Sequence, residues 1–196
     1  TRRLFHSAEI LGIKIPYTED EINRACYQAA EAQSIVDGYV RPVAFRAAAT
    51  MPTVSAQKAG VRVAVAVWPW PSYFDPAEKL KGIRLDIADY RRPDPQCAPV
   101  HAKAAGLYMI CTISKHKAEK KGYADAMMLD WQGRVAECTG ANIFFTRDGA
   151  IHTPIADCFL NGITRQTVIA LARQQGMEVI ESRIMPDDLP SYNECF

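Results

Sequence analysis

Lys103 is the only charged residue between Asp94 and Lys115, and its neighbours are Ala102, Ala104, Ala105, Gly106 and Leu107. Apolar surroundings penalise an ammonium, so a lysine placed there is expected to give up its proton more readily and offer a neutral amine. A neutral amine is the nucleophile that Schiff-base chemistry on a carbonyl requires. A lysine whose stem snorkels at a helix start gives the same pattern. Glu137 repeats the isolation: it is the only charge between Arg134 and Arg147, within Val135-Ala-Glu-Cys-Thr-Gly-Ala-Asn-Ile-Phe-Phe145. A carboxylate buried in such a run must be paired or neutralised, and a cationic ring nitrogen is a suitable partner. A strand-end glutamate facing solvent is the ordinary alternative.

Asn161-Gly-Ile-Thr164 places a glycine turn at a helix start, where free backbone N–H groups and a hydroxyl suit an anion. A plain N-cap explains the same residues. Arg41 stands alone between Asp37 and Arg46 and could fork onto a carboxylate, or simply mark an edge strand. Trp68, Trp70 and Tyr73 surround a proline-rich stretch, where aromatic side chains could wall an apolar pocket or pack a junction. Cys97 with His101 and Cys111 with His116 suggest a thiol hydrolase only weakly, because such a pair must meet in space rather than in sequence. Thr1 could serve as an N-terminal nucleophile, but reads better as the first turn of a helix.

The elements that must position these groups are legible from periodicity. Leu4, Phe5, Ala8 and Leu11 share one helical face, with Gly12 as a stop. Thr18 to Glu31 reads as a second helix opened by a capping box at Thr18 and Glu21. Ile35 to Phe45 reads as an edge strand carrying Gly38 and Pro42, and Ala47 to Gln57 as a loop. Val61, Val63, Val65 and Val67 alternate along a strand. Pro69-Trp-Pro-Ser-Tyr-Phe-Asp-Pro76 can continue neither sheet nor helix and is expected to be a linker. Strand 81–90, a helix from Ala102 to Lys121, a hairpin about Gln132-Gly133, a second about Asp148-Gly149, a helix from Thr164 to Gln175 and a strand 179–185 complete the chain. These predict an α+β (α/β) protein with an N-terminal α/β domain at 1–68, a linker at 69–78 and a C-terminal domain at 79–196.

The 196 residues carry 23 Lys+Arg against 22 Asp+Glu, a net charge of +1, and 48% are hydrophobic. That composition excludes disorder and argues against nucleic acid as a partner, which demands a basic face. Val63 to Phe74 is the longest uncharged run and is too short and proline-broken to span a membrane, which needs about 20 apolar residues. Six cysteines without close metal spacing read as reduced thiols of a cytoplasmic protein, with no sequence support for a metal site. A helical pattern opening at Thr1, and no polar tail after Phe196, lead to the expectation of a partial or processed chain.

Taken together, four segments resemble the branched-chain amino acid aminotransferases, of the fold type IV (D-amino acid aminotransferase-like) pyridoxal-phosphate enzymes. They are Gly38-Tyr-Val-Arg-Pro42, Ala102-Lys-Ala-Ala-Gly-Leu-Tyr108, Gly122-Tyr-Ala-Asp-Ala-Met-Met-Leu-Asp130 with Val135 to Phe144, and Gly162-Ile-Thr-Arg165. The resemblance covers nearly the whole chain. It implies pyridoxal 5'-phosphate held as a Schiff base on Lys103, with Tyr108 at the phenolic oxygen and Glu137 at the ring nitrogen. Leu160 would pack on the ring, and Ile163 and Thr164 would hold the phosphate. Tyr39 and Arg41 would receive substrate carboxylates, while Trp70, Tyr73 and Gly140 would line the side-chain pocket. The implied reaction moves the amino group of leucine, isoleucine or valine to 2-oxoglutarate in two half-reactions, with small amino and 2-oxo acids as partners and a homodimer or assembly of dimers as the unit.

Several positions depart from the family pattern: Ala105-Gly106 stands where Gly-Gly is common, Cys138 follows the glutamate, and Ala141 and Asn161 replace frequent acidic and proline residues. The resemblance also places a phosphate-binding arginine just upstream of Thr1 and a Gly-Thr-Ala loop beyond Phe196. Rival readings within the fold are a D-amino acid aminotransferase, an (R)-amine transaminase and an aminodeoxychorismate lyase; outside it, a non-catalytic fragment or pseudo-enzyme.

Overall fold

Thr18 and Glu21 exchange the two hydrogen bonds of a capping box, Glu21 N–H to Thr18 Oγ1 at 3.2 Å and Thr18 N–H to Glu21 Oε2 at 2.7 Å. Two otherwise orphaned donors are thereby satisfied, and helix α2 (Glu19–Ala32) starts there as the sequence requires. The computed structural model describes residues 1–47, 56, 59–70 and 81–196. It divides into two compact units, Thr1–Leu80 and Lys81–Phe196. Of the expected linker 69–78, residues 71–78 lie outside the described residues, as does most of the expected loop 47–57.

In the N-terminal unit, helix α1 (Arg2–Ile10) ends at Gly12, whose φ of +64° is open to glycine at little cost. Strands β1 (Tyr39–Ala47) and β2 (Gly60–Trp68) pair antiparallel from Tyr39↔Trp68 to Ala47↔Gly60. The valines at 61, 63, 65 and 67 fall on one face, which turns inward, and Val67 is buried. β1 begins later than expected because Ser34 takes a left-handed turn (φ +54°) and Gly38 lies against the backbone of Trp68. A Cβ at Gly38 would come within 2.6 Å of the Trp68 carbonyl oxygen, so only glycine fits.

The C-terminal unit contains two βαβ crossovers. Strand β3 (Leu85–Arg92) leads through a 3-10 turn (Ala105–Tyr108) and helix α3 (Met109–Lys120) to the parallel strand β4 (Asp125–Asp130). β4 then turns into the antiparallel β5 (Val135–Cys138), giving the order β3-β4-β5. Ala88, Cys111, Ala118, Ala126 and Met128 seal α3 to this sheet. Met128 is fully buried, and burying such a side chain contributes about 2–3 kcal/mol.

A second sheet follows in the chain. β6 (Phe145–Arg147) and β7 (Ala150–Pro154) form the hairpin expected at Asp148-Gly149, and both turn residues take positive φ (+52° and +81°). β7 passes through α4 (Ile163–Gln174) to the parallel β8 (Val179–Ser182), and β9 (Glu194–Cys195) closes the far edge on β6. The last expected strand stops at Ser182 because Pro186 opens a 3-10 helix (Pro186–Ser191). Met127, Leu129, Val135, Cys138, Ile143, Phe145 and Ile184 form one core across the two sheets.

Candidate active site

Lys103 does not lie in a helix. The chain turns through Pro99 to Ala104, with Ala102 N–H bonded to the Pro99 carbonyl and Ala104 N–H to that of Ala102, and α3 begins only at Met109. The Ala105-Gly106 pair supports a tight 3-10 turn rather than a helical one. That turn brings Tyr108 back toward Lys103, whose Nζ donates to the Tyr108 hydroxyl at 2.7 Å and sits 4.9 Å from the ring centre. The side chain of Lys103 is exposed, which corrects the expectation of a desolvated amine: its apolar sequence neighbours do not enclose it. Tyr108 is half-buried and packs on the Ala88–Met128 cluster.

Glu137, on β5 opposite Met128, is the buried carboxylate its isolation predicts, with only 14% of its side chain exposed. Burial pushes its pKa up to about 7, against the opposing pull of the Arg92 and Lys103 charges. Arg92, at the end of β3, is its ion-pair partner, with Nε 3.3 Å from Oε1. The N–H is not aimed at the oxygen, so Arg92 Nε is left without a hydrogen-bond partner. Arg92 Nη1 donates to the Leu107 carbonyl at 3.3 Å and contacts Cys111 Sγ at 3.4 Å. The Cys111 thiol is itself pushed up by burial, the wrong direction for a nucleophile.

A third group stands at the start of α4. Gly162 is the N-cap, in extended conformation, and a Cβ there would run into Asn142 Oδ1, which accepts from Arg165 N–H at 3.2 Å. Among the described residues no side chain caps α4 from its N-cap position, and Ile163 and Thr164 are exposed. Arg165 is almost fully buried and locks this turn, through Asn161 Oδ1 at 3.0 Å, the Pro154 carbonyl at 2.8 Å and Glu181 at 2.6 Å. Leu160 is half-buried and Gly140 exposed, with open space where a Cβ would be.

Within the N-terminal unit, Tyr39 and Trp68 stack across the ladder at 5.0 Å, and Trp70 leans on both at 5.4 and 5.9 Å. The Arg41 guanidinium lies 5.0 Å from the Tyr39 ring and 5.2 Å from that of Trp68. Tyr73 lies outside the described residues. A separate group, Asp130, Asp157 and Cys158, has ligand-type atoms close together, but Arg134 already binds all three, at 2.7, 3.7 and 3.8 Å.

Arg92 and Arg165, which brace Glu137 and the turn at Gly162, were given no role by the sequence. Their signal was indirect: a buried Glu137 demands a cation, and a glycine turn without its own cap demands a brace.

The family model for amino-transferase class IV matches residues 1–196, and the chain belongs to that family. It is 38% identical to the probable branched-chain-amino-acid aminotransferase of Rickettsia felis over 196 residues, all of this chain and 66% of that protein. Among solved structures, the branched-chain aminotransferase of Thermoproteus uzoniensis with norvaline superposes with a TM-score of 0.92 at 34% identity, over 100% of this chain and 65% of that one. An aminotransferase from Brucella abortus bound to the cofactor PLP gives 0.85 at 30% identity, over 99% and 68%. The chain thus spans about two thirds of the length of these relatives. The mixed α/β, fold type IV architecture expected from the sequence is the one they share.

Proposed function

We propose that this chain carries the cofactor site of a branched-chain amino acid aminotransferase, which moves the amino group of leucine, isoleucine or valine to 2-oxoglutarate in two half-reactions. The observation that carries this reading is the Lys103 amine, hydrogen-bonded to Tyr108 and acting by its charge on the buried Glu137.

The donor set fits pyridoxal 5'-phosphate: an amine, a phenol, a carboxylate for a ring nitrogen, and a helix start for a phosphate. When bound, the cofactor supplies an electron-accepting ring that stabilises negative charge at the substrate's alpha carbon. Lys103 anchors the cofactor through Nζ and moves the proton at that carbon, as base and then acid. Tyr108 orients the amine through its hydroxyl and would hydrogen-bond the phenolic oxygen of a bound cofactor. Glu137 holds a proton at the ring nitrogen, since its carboxylate gains most from a cation in a buried place. Leu160 would pack against the ring. The N–H groups of Ile163 and Thr164, with the Thr164 hydroxyl, bind the phosphate. In the N-terminal unit, Tyr39 and Arg41 are assigned to substrate carboxylates, and Trp70 and Tyr73 to the substrate side chain; Gly140 leaves room for it in the C-terminal unit. Membership of the family supports a homodimer or an assembly of dimers in the cytoplasm as the working unit. No helix of the described residues is long and apolar enough to cross a membrane.

Borohydride reduction in the presence of pyridoxal phosphate, followed by digestion and mass spectrometry, tests this. Label on Lys103 near one per chain is expected. Label scattered over other lysines, or none, overturns the assignment. In a substrate panel, activity on D-alanine without activity on L-leucine would favour the D-amino acid reading instead.

A further inference from the structure

We propose that Arg92 is a positioning residue of this site: one guanidinium joins the Glu137 carboxylate on β5 to the Leu107 carbonyl in the turn that presents Tyr108. This rests on the reading of Glu137 and Tyr108 as cofactor-facing groups. The two contacts come from different nitrogens of one buried side chain, Nε to Glu137 at 3.3 Å and Nη1 to Leu107 at 3.3 Å. The Nη1–H bond to Leu107 orients the rigid guanidinium and so sets how far its charge lies from the carboxylate, which the freely turning ammonium of a lysine would not do. β3 sits on the opposite side of β4 from β5, so Arg92 reaches across the sheet and holds in one frame two groups that neither chain proximity nor pairing would align.

The geometry also explains how Glu137 can serve a second partner. Arg92 offers it charge without a hydrogen bond, and Nε remains unpartnered. The carboxylate is therefore held in place but not saturated, with lone pairs left for a ring nitrogen. Burial alone favours the neutral acid; the Arg92 charge is the larger of the two that oppose it, with Lys103 the other. Among the described residues the Cys111 thiol, from α3, also lies against the guanidinium, and the Cys111 and Cys138 thiols are close enough to Glu137 to feel its charge.

Removing the guanidinium should thus change two things at once. In the chain without cofactor, Glu137 protonation is read by infrared difference titration, with Glu137→Gln identifying its carboxyl band. Arg92→Met should keep the Glu137 proton to a higher pH, by roughly one unit or more, the size expected for losing a close opposite charge. Arg92→Lys should restore the Glu137 titration, because the charge remains. In the cofactor-loaded chain it should still displace the pH titration of the visible absorption band, because the Leu107 contact is lost. An unmoved Glu137 titration in Arg92→Met overturns the proposal, and so does an Arg92→Lys protein identical to the parent in both readouts. If Arg92→Met does not fold, Arg92→Met combined with Glu137→Gln removes both charges: recovery of folding supports the pairing, and equal failure makes Arg92 a packing residue and overturns it. The infrared arm needs no cofactor, so a chain that binds none tests the function while leaving this inference standing or falling by itself.

Discussion

The two units hold their charges in opposite ways. Arg41 rests on the faces of Tyr39 and Trp68 and stays exposed, where a cation–π contact is worth about 0.5–1 kcal/mol. Arg92 and Glu137 are sunk in a sheet, where each charge depends on the other because burial penalises either alone. A charge held on aromatic faces can turn toward whatever arrives, at little cost in stability. A buried pair is committed, and its energy appears as a displaced ionisation. Carboxylate capture suits the first arrangement, and holding a proton at one fixed atom suits the second.

The sharpest break of this contrast is Lys103→Ala. It removes the anchor and the proton carrier together, so transamination should fall by at least about a thousandfold, measured as glutamate formed from leucine. Glu137→Gln comes next: the cofactor should remain bound, as its absorption shows, while kcat drops roughly a hundredfold. Normal turnover in that variant would remove Glu137 from the ring nitrogen.

A third effect is on stability. Unfolded, Glu137 ionises near 4.5; folded, it keeps its proton to about 7. Between those values the folded state holds more protons, so the stability this group provides is complete below 4.5 and is lost as pH rises through 7. The shift is worth on the order of 3 kcal/mol. Urea titrations of the cofactor-free chain at about pH 5 and about pH 8, on either side of that loss, should show the slope in the parent and lose it in Glu137→Gln. The smallest effect belongs to the N-terminal unit. Arg41→Ala should raise the KM for amino acids while leaving the stability measured in urea within about 1 kcal/mol of the parent. A large loss of stability there would place Arg41 with the buried pair.

Much of this was legible in the sequence, for local reasons. The Thr18–Glu21 capping box, the alternating valines and the Asp148-Gly149 turn each depend on neighbours a few residues apart, and all three appear. Isolation among apolar residues left a buried and an exposed reading open for both Glu137 and Lys103; Glu137 takes the first and Lys103 the second. The difference is direction: a strand fixes which face Glu137 takes, whereas the turn at 99–104 swings Lys103 outward. Arg92 was hidden for another reason. That Glu137 needs a cation follows from its surroundings, but which arginine supplies it depends on the order β3-β4-β5, which no local pattern encodes.

The pairing of β9 with β6 carries a consequence for synthesis. Phe145 lies opposite Cys195, and Phe144 stacks on Phe196 at 5.2 Å, so one edge of the second sheet is covered by residues translated well after β6 itself. The hairpin β6–β7 can form early, since its turn is tight, but its outer edge waits through the translation of α4 and β8. An unpaired strand edge on a nascent chain invites pairing with the wrong strand. Ribosome-stalled chains ending before Glu194 should therefore depend most on chaperones.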